Sequence, residues 1–311
     1  MIAVLGAFDG FHRGHALLLE RAEEMAPSRD DFGVVTFNPH PGLFLGTLKA
    51  TLFTPEESKL IRLFLGVPRA VELRFDEALA GLSPRLFWNF LRERVPVEGV
   101  VVGRDFRFAA GRSGDVPLLE SFCREEAIPF CAVDILKHLN AKISSSSVRA
   151  HVSAGRCGSA AEELGYPYFI RAEVVHGLER GRSLGFPTAN LNVSRTKLLP
   201  ADGVYSVAVL VQGRWSAGAL SIGKNPTFRD VSETRVEVFL LDSEGDLYEE
   251  SLLVFFLSRL RPQERFESAE QLVRQIGTDV EEAKAAFRRN FEEDPDTRRK
   301  LAAFARRESS I

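Results

Sequence analysis

His12 and His15 lie three residues apart in Gly6-Ala7-Phe8-Asp9-Gly10-Phe11-His12-Arg13-Gly14-His15, directly after the apolar run Ile2 to Leu5. That order predicts a first strand turning into a first helix, with the two imidazoles on neighbouring faces of the opening helical turn. Free N–H groups and the positive end of a helix make an anion site there. Gly6, Gly10 and Gly14 lack Cβ atoms, so the chain can turn sharply and a ligand can approach its backbone. Imidazoles at such a point can donate hydrogen bonds to phosphate oxygens as charge moves from an α-phosphate to leaving pyrophosphate. This pattern points to nucleotidyl transfer. A bare H-x-G-H string alone reads more readily as a glycine-rich turn with solvated histidines. The carboxyl end of a first parallel strand, where open α/β sheets bind ligands, favours the site.

Three later segments of the first half leave strand ends and can reach the same place. Asn38-Pro39-His40-Pro41 is held extended by its prolines. Gly103-Arg104-Asp105-Phe106-Arg107-Phe108 mixes charge with aromatic rings, as a loop for a phosphate or a ring-bearing ligand would. Ser144, Ser145, Ser146 and Ser147 precede Arg149; such serines ordinarily cap a helix, but with the arginine they also form an anion cradle.

The second half has its own candidate. Gly177, Arg180, Gly181, Arg182 and Gly185 precede Phe186-Pro187-Thr188-Ala189-Asn190. Glycines and arginines can cradle a diphosphate, and the Thr188 hydroxyl and Asn190 carbonyl are hard oxygen ligands of the kind Mg²⁺ accepts. The ordinary reading of this stretch is a hairpin loop. Glu237, between Val236 and Val238, is either the outward residue of an alternating strand or a general base able to take a proton from an alcohol attacking ATP.

The elements that must position these residues fall into two patterns. Up to about residue 150, strands near 2–5, 32–37, 70–73, 99–103 and 130–136 alternate with helices, which predicts a parallel sheet covered on both faces. Thr54-Pro55-Glu56-Glu57 carries a helix-start signature with a capping-box glutamate. Residues 151–167 read as helix and linker. From 168 onward, strands near 168–175, 203–211, 215–222, 235–241 and 252–257 follow one another without helices, predicting a small closed β-barrel. A helix from about 268 is expected to continue to the end. The chain has 311 residues, enough for two cored domains, and a net charge of −3, which gives no general attraction for nucleic acid or anionic membrane. No long apolar stretch or signal-peptide core is evident, so a cytoplasmic protein is expected. Cys123, Cys131 and Cys157 have neither disulfide nor zinc spacing.

The four motifs of the first half, in order, resemble the FAD synthetase (FMN adenylyltransferase) module of bacterial bifunctional riboflavin kinase/FAD synthetases. The second half resembles the riboflavin kinase module through Gly181 to Asn190, Gly203-Val204-Tyr205, Ile222-Gly223, Val236-Glu237-Val238, Asp246-Leu247-Tyr248 and Arg261 with Phe266. The resemblance implies an adenylyltransferase domain at 1–150 and a kinase barrel with C-terminal helices at 168–311, acting on riboflavin, FMN and ATP with Mg²⁺. It implies that His12, His15, Gly6, Phe8, Asp9, Gly10, Gly14, the serine run and Arg149 serve ATP. Asn38, Pro39, His40, Asp105, Phe106, Arg107 and Arg261 are implied in flavin binding. Thr188 and Asn190 would hold metal and ATP, and Glu237 would activate the riboflavin hydroxyl. Four positions depart from the pattern: Ser221 for a common asparagine, Phe239 for a histidine, Glu249 for a glycine and Gln263 for a glutamate. These leave open an alternative in which the barrel only binds flavin. A second alternative keeps nucleotidyl transfer and changes the acceptor.

Overall fold

The computed structural model describes residues 1–138, 141–176, 186–223, 234–241 and 247–308. The chain divides into two compact units, Met1–Ser147 and Val148–Ile311.

In the first unit, β1 (Ile2–Leu5), β2 (Phe32–Asn38), β3 (Arg69–Arg74), β4 (Gly99–Gly103) and β5 (Phe130–Val133) form one sheet of order β3-β2-β1-β4-β5. All four pairings are parallel. The apolar runs of β1 and β4 are buried on both faces, as expected of central parallel strands. Ala3, Leu5, Val100 and Val102 pack on one face with Trp88, Leu91 and Phe122. On the other face lies α1 (Arg13–Met25), which buries Leu18, Leu19 and Ala22 and packs on β1 and β4. Two short helices, α2 (Pro41–Phe44) and α4 (Glu77–Ala80), and three longer ones, α3 (Pro55–Phe64), α5 (Pro84–Arg94) and α6 (Val116–Glu125), complete the layers. The expected capping box at Thr54 and Glu57 is formed. Burial pushes the Cys123 and Cys157 thiols up to about 12, so both remain neutral packing groups.

The strand order decides where a ligand can sit. From β1 the chain builds outward through β2 and β3, then returns to the far side of β1 as β4 and β5. The crevice at the carboxyl ends of β1 and β4 is therefore the topological switch point, and residues 6–12 and 104–108 both emerge there. The strand expected over 130–136 stops at Val133, and a small hairpin, β6 (Lys137–His138) with β7 (Ala141–Lys142), leads into α7 (Ser145–Ser153).

In the second unit, α8 (Cys157–Leu164) precedes six strands: β8 (Phe169–Val175), β9 (Ala189–Asn192), β10 (Gly203–Val211), β11 (Arg214–Gly223), β12 (Arg235–Leu240) and β13 (Ser251–Arg261). They close as β10-β11-β12-β9-β8-β13. Strand β9 was not expected; residues 189–192 are extended because β12 and β8 both pair with them. All of β10 is buried, since α9 (Ala269–Phe287) covers its outer side and the Ser206 hydroxyl donates to the Ala283 carbonyl at 2.9 Å. The C-terminal helix is not continuous. It passes through a π-helical turn at Arg288–Glu292 and restarts as α10 (Pro295–Glu308). Pro295 cannot donate to a preceding turn, and Asp294 caps the new helix by accepting from the backbone of Asp296 and Thr297.

Candidate active sites

The loop after β1 is bent into the left-handed region at Phe8 (φ 47°), Gly10 (φ 99°) and Phe11 (φ 40°). Two phenylalanines in that region store strain on the order of 1 kcal/mol each, which persists only where the surroundings dictate it. Here those surroundings are aromatic. The rings of Phe8 and Phe11 stack at 5.1 Å, and each meets the His15 ring edge-on. A Cβ at Gly6 would stand 3.1 Å from the Phe8 ring, so the ring folds onto bare backbone.

His12 is not inside the helix but is its N-cap, and its Nδ1 accepts the His15 backbone N–H at 3.3 Å. An accepting Nδ1 is unprotonated, which leaves the neutral His12 ring with its proton on Nε2. The two imidazoles stack with centroids 3.7 Å apart and planes 15° from parallel. A Cβ at Gly14 would lie 3.1 Å from Cε1 and Nδ1 of His12, so the ring can stand over this turn only because residue 14 is glycine. Burial, reinforced by the neighbouring His12, holds the His15 imidazole well below its ordinary pKa, so it is neutral at physiological pH. Its Nδ1 is buried without a hydrogen-bond partner among the described residues. Two stacked rings thus occupy the helix start, that of His15 neutral.

Asp9 is 5% exposed. Its Oδ1 accepts the Leu52 backbone N–H at 2.7 Å, tying the segment before α3 to the loop. Its backbone carbonyl accepts the Ser145 hydroxyl at 2.6 Å, which brings the start of α7 against the histidine loop. Ser144 and Ser147 spend their hydroxyls on each other's backbone N–H, as a cap. Ser146 is exposed on the first turn, and Arg149 lies on the same helix. The serine run is therefore both cap and docking element.

Around the switch point, Asn38 and Pro39 are joined by a cis peptide bond, and His40 caps α2 by accepting the Gly42 N–H at 3.0 Å. Asp105 is paired with Lys142; burial alone would raise its pKa, but the hydrogen bond and charge of Lys142 outweigh that and hold it low. Arg107 pairs with Asp115 at 3.3 Å, and Phe106 stacks on Phe108. Lys142 escaped the sequence reading because its partner lies across the fold. A cavity of about 480 Å³ opens beside edge strand β3, lined by Leu79, Leu82 and Phe90 with Arg74 and Arg94. It shares no residue with the histidine loop.

In the barrel, Gly177, Arg180, Gly181, Arg182 and Gly185 lie outside the described residues. The remainder of that motif is ordered by β9. Asn190 pairs directly with Glu237 across β9 and β12, and Glu237 pairs with Ser221 across β12 and β11. Directly paired residues project to the same face, so Asn190, Glu237 and Ser221 form a row. Val236 and Val238 are buried, which puts that row on the barrel's outer face. Arg235 approaches the Glu237 carboxylate at 4.0 Å from two residues away. Thr188 precedes Asn190 by two residues as the chain enters β9, and Phe186, ahead of Pro187, packs edge-on against Phe239 at 5.5 Å. Phe239 thus supports the motif.

Arg261 is occupied by a different partner. Its guanidinium makes a bidentate pair with Asp279 of α9, Nε to Oδ1 at 2.8 Å and Nη2 to Oδ2 at 2.7 Å, and Gln275 donates to the same carboxylate. Asp279 is 4% exposed. Its signal in the sequence was a carboxylate on the buried stripe of an amphipathic helix, which needs a partner.

Glu249 adopts φ 67°, the left-handed conformation that glycine takes freely, and its N–H donates to the Val174 carbonyl at 3.0 Å. Glu249→Gly is expected to relieve this strain and raise stability by about 0.5–1 kcal/mol in chemical denaturation. A fall in stability would show that the glutamate side chain compensates for its backbone.

Comparison with known proteins covers both units. A family model described as FAD synthetase matches residues 1–147, and one described as riboflavin kinase matches residues 164–287. A bifunctional riboflavin kinase/FMN adenylyltransferase of Listeria monocytogenes is 33% identical over 290 residues, covering 92% of each chain. One of Escherichia coli (strain K12) is 34% identical over 291 residues, again covering 92% of each. A crystal structure described as a macrolide-efflux protein from Streptococcus pneumoniae superposes with a TM-score of 0.81 at 33% identity, over 91% of this chain and 93% of that one. Among the described residues, no helix is long and apolar enough to cross a membrane.

Proposed function

The chain belongs to the family of bifunctional riboflavin kinases/FMN adenylyltransferases, and from that premise we propose how its residues divide the two reactions. It phosphorylates riboflavin to FMN with ATP and adenylylates FMN to FAD with release of pyrophosphate. We assign adenylylation to residues 1–150, a linker role to 151–167 and phosphorylation to 168–311. The alternative of a non-catalytic barrel is disfavoured by the riboflavin kinase match and by the presence of Thr188, Asn190 and Glu237. Riboflavin, FMN and ATP are its small-molecule partners, and we place both steps in the cytoplasm.

The observation that carries the adenylyltransferase reading is the stacked His12–His15 pair at the start of α1, on the switch point of the sheet. An FMN phosphate oxygen attacks the ATP α-phosphorus, and the bond to the bridging oxygen of pyrophosphate breaks. His12, with its proton on Nε2, donates to the phosphate oxygens that gain charge. The α1 and α7 starts, docked through Ser145 on Asp9, supply backbone N–H groups, and Arg149 a positive charge. Little covalent chemistry falls to the protein, so placement dominates. Asn38, Pro39, His40, Phe106 and the ion-paired Asp105 and Arg107 are read as the flavin side of this crevice. Gly14→Ala, which crowds the His12 ring, is expected to lower FAD formation about tenfold with FMN formation unchanged. An unaltered rate would mean that the ring position is not limiting.

In the barrel, Glu237 takes the proton from the riboflavin primary hydroxyl as its oxygen attacks the ATP γ-phosphorus and ADP leaves. The hard oxygens of Asn190, paired with Glu237, and of Thr188, two residues before it, fit Mg²⁺. Mg²⁺ accepts a few protein oxygens and completes its shell with phosphate and water. When bound, Mg²⁺ supplies charge neutralisation at the phosphates. Arg261, committed to Asp279, is read as a brace for the strand end rather than a direct flavin ligand. The decisive test is the product profile: riboflavin, ATP and Mg²⁺ given to the full chain should yield FMN and then FAD. Accumulation of FMN alone, or no turnover of riboflavin while supplied FMN is converted, would remove one of the two assignments.

A further inference from the structure

The outer-face row does not end at Ser221. Gln263, two residues beyond β13, reaches back across the start of β10. Its Nε2 donates to Ser221 Oγ at 2.9 Å and to the Ile222 carbonyl at 3.2 Å. Two glycines clear its path. A Cβ at Gly223 would lie 2.9 Å from Gln263 Cγ and Nε2, and one at Gly203 would lie 2.5 Å from the Arg261 carbonyl. The root of the segment is held by the bidentate Arg261–Asp279 pair. A side chain so constrained has a defined orientation, and the Ile222 carbonyl, which can only accept, fixes which end of the amide faces Ser221.

We propose that Gln263 is a positioning residue for Glu237 in riboflavin phosphorylation, acting through the Ser221 hydroxyl. A hydroxyl carries one proton. Because the Gln263 amide donates to Ser221 Oγ, that proton is not spent on residue 263 and is directed along the row. The residue paired with Ser221 in that row is Glu237. The hydroxyl then holds the carboxylate in the orientation from which it meets the attacking alcohol. A glutamate at 263 would reverse this, since its carboxylate would take the single Ser221 proton and Glu237 would lose it. Asparagine at 221 would lift the constraint, because its amide has two protons and can serve both neighbours. Ser221 and Gln263 are therefore matched to one another: they touch, and each departs from the family pattern at its own position.

The inference rests on the reading of Glu237 as the base, and the test separates the two. Steady-state FMN formation is measured on the full chain for wild type, Gln263→Glu, Gln263→Glu with Ser221→Asn, and Glu237→Gln. Gln263→Glu is nearly isosteric and is expected to lower kcat about tenfold, the loss of one charge-assisted hydrogen bond. KM for riboflavin and ATP should stay within about twofold of wild type. Adding Ser221→Asn should bring kcat back to within about threefold of wild type. An unchanged kcat in Gln263→Glu, a loss carried by KM, or a failure of Ser221→Asn to rescue would each overturn the positioning role. A Glu237→Gln variant that keeps its rate would instead overturn the premise.

Discussion

Replacing His12 with alanine is expected to lower conversion of FMN and ATP to FAD by about a hundredfold or more, the effect of losing one preorganised donor to a developing phosphate charge. Formation of FMN from riboflavin should be unaffected, since the barrel holds separate machinery. The structure makes this a demanding substitution. The His12 ring stacks on His15 at 3.7 Å, and its Nδ1 caps the first turn through the His15 N–H. Alanine therefore removes the donor and also the cap, whose loss costs about 1 kcal/mol on its own. His12→Asn separates the two effects, because asparagine caps well but cannot place an Nε2–H at the same distance. FAD formation restored by asparagine would reduce His12 to a cap, and equal loss of both activities in His12→Ala would contradict separate sites. Single-turnover conversion of FMN to FAD, with kcat and KM resolved, reads the difference.

Glu237→Gln is expected to lower FMN formation by at least a hundredfold, within the range of a lost general base, while supplied FMN is still adenylylated. Glutamine keeps the size of the side chain and its place between Asn190 and Ser221 in the strand register, so strand pairing is retained. What it lacks is the basic oxygen. The carboxylate is partly open to solvent and has Arg235 at 4.0 Å, so an incoming hydroxyl can reach it. An unaffected phosphorylation rate would remove Glu237 as the base and leave it the outward residue of an alternating strand. Both readings of that strand describe the same geometry, since Val236 and Val238 do point inward. The site we propose for phosphorylation lies on that outer face.

Much of this was legible without coordinates because it is local. The glycine-spaced histidines, the capping box at Thr54 and the alternation in the barrel strands each depend on residues within one or two turns of one another. The misreadings arose where distant chain decides. Residues 189–192 have the composition of a loop and become a strand only because β8 and β12 flank them. The last helix breaks where Pro295 and the Asp294 cap outweigh its periodicity. The partner of Arg261 was likewise out of local reach: Asp279, eighteen positions away, holds both arms of its fork. Glu249, where glycine was expected, is the reverse case: the conformation anticipated from sequence is present at φ 67°, with a glutamate bearing it.

The amino-acid sequence by itself determined the two architectures and the residue types that stand at the histidine turn and in the barrel motif, because backbone preference and side-chain type act over a few residues. Only the tertiary structure decided which residues meet. Parallel order placed β1 at the switch of the sheet, antiparallel register set Asn190, Glu237 and Ser221 side by side, and the segment leaving β13 past two glycines laid Gln263 on that row. Such meetings depend on strand neighbours and register, which arise from burial and hydrogen bonding summed across the whole fold.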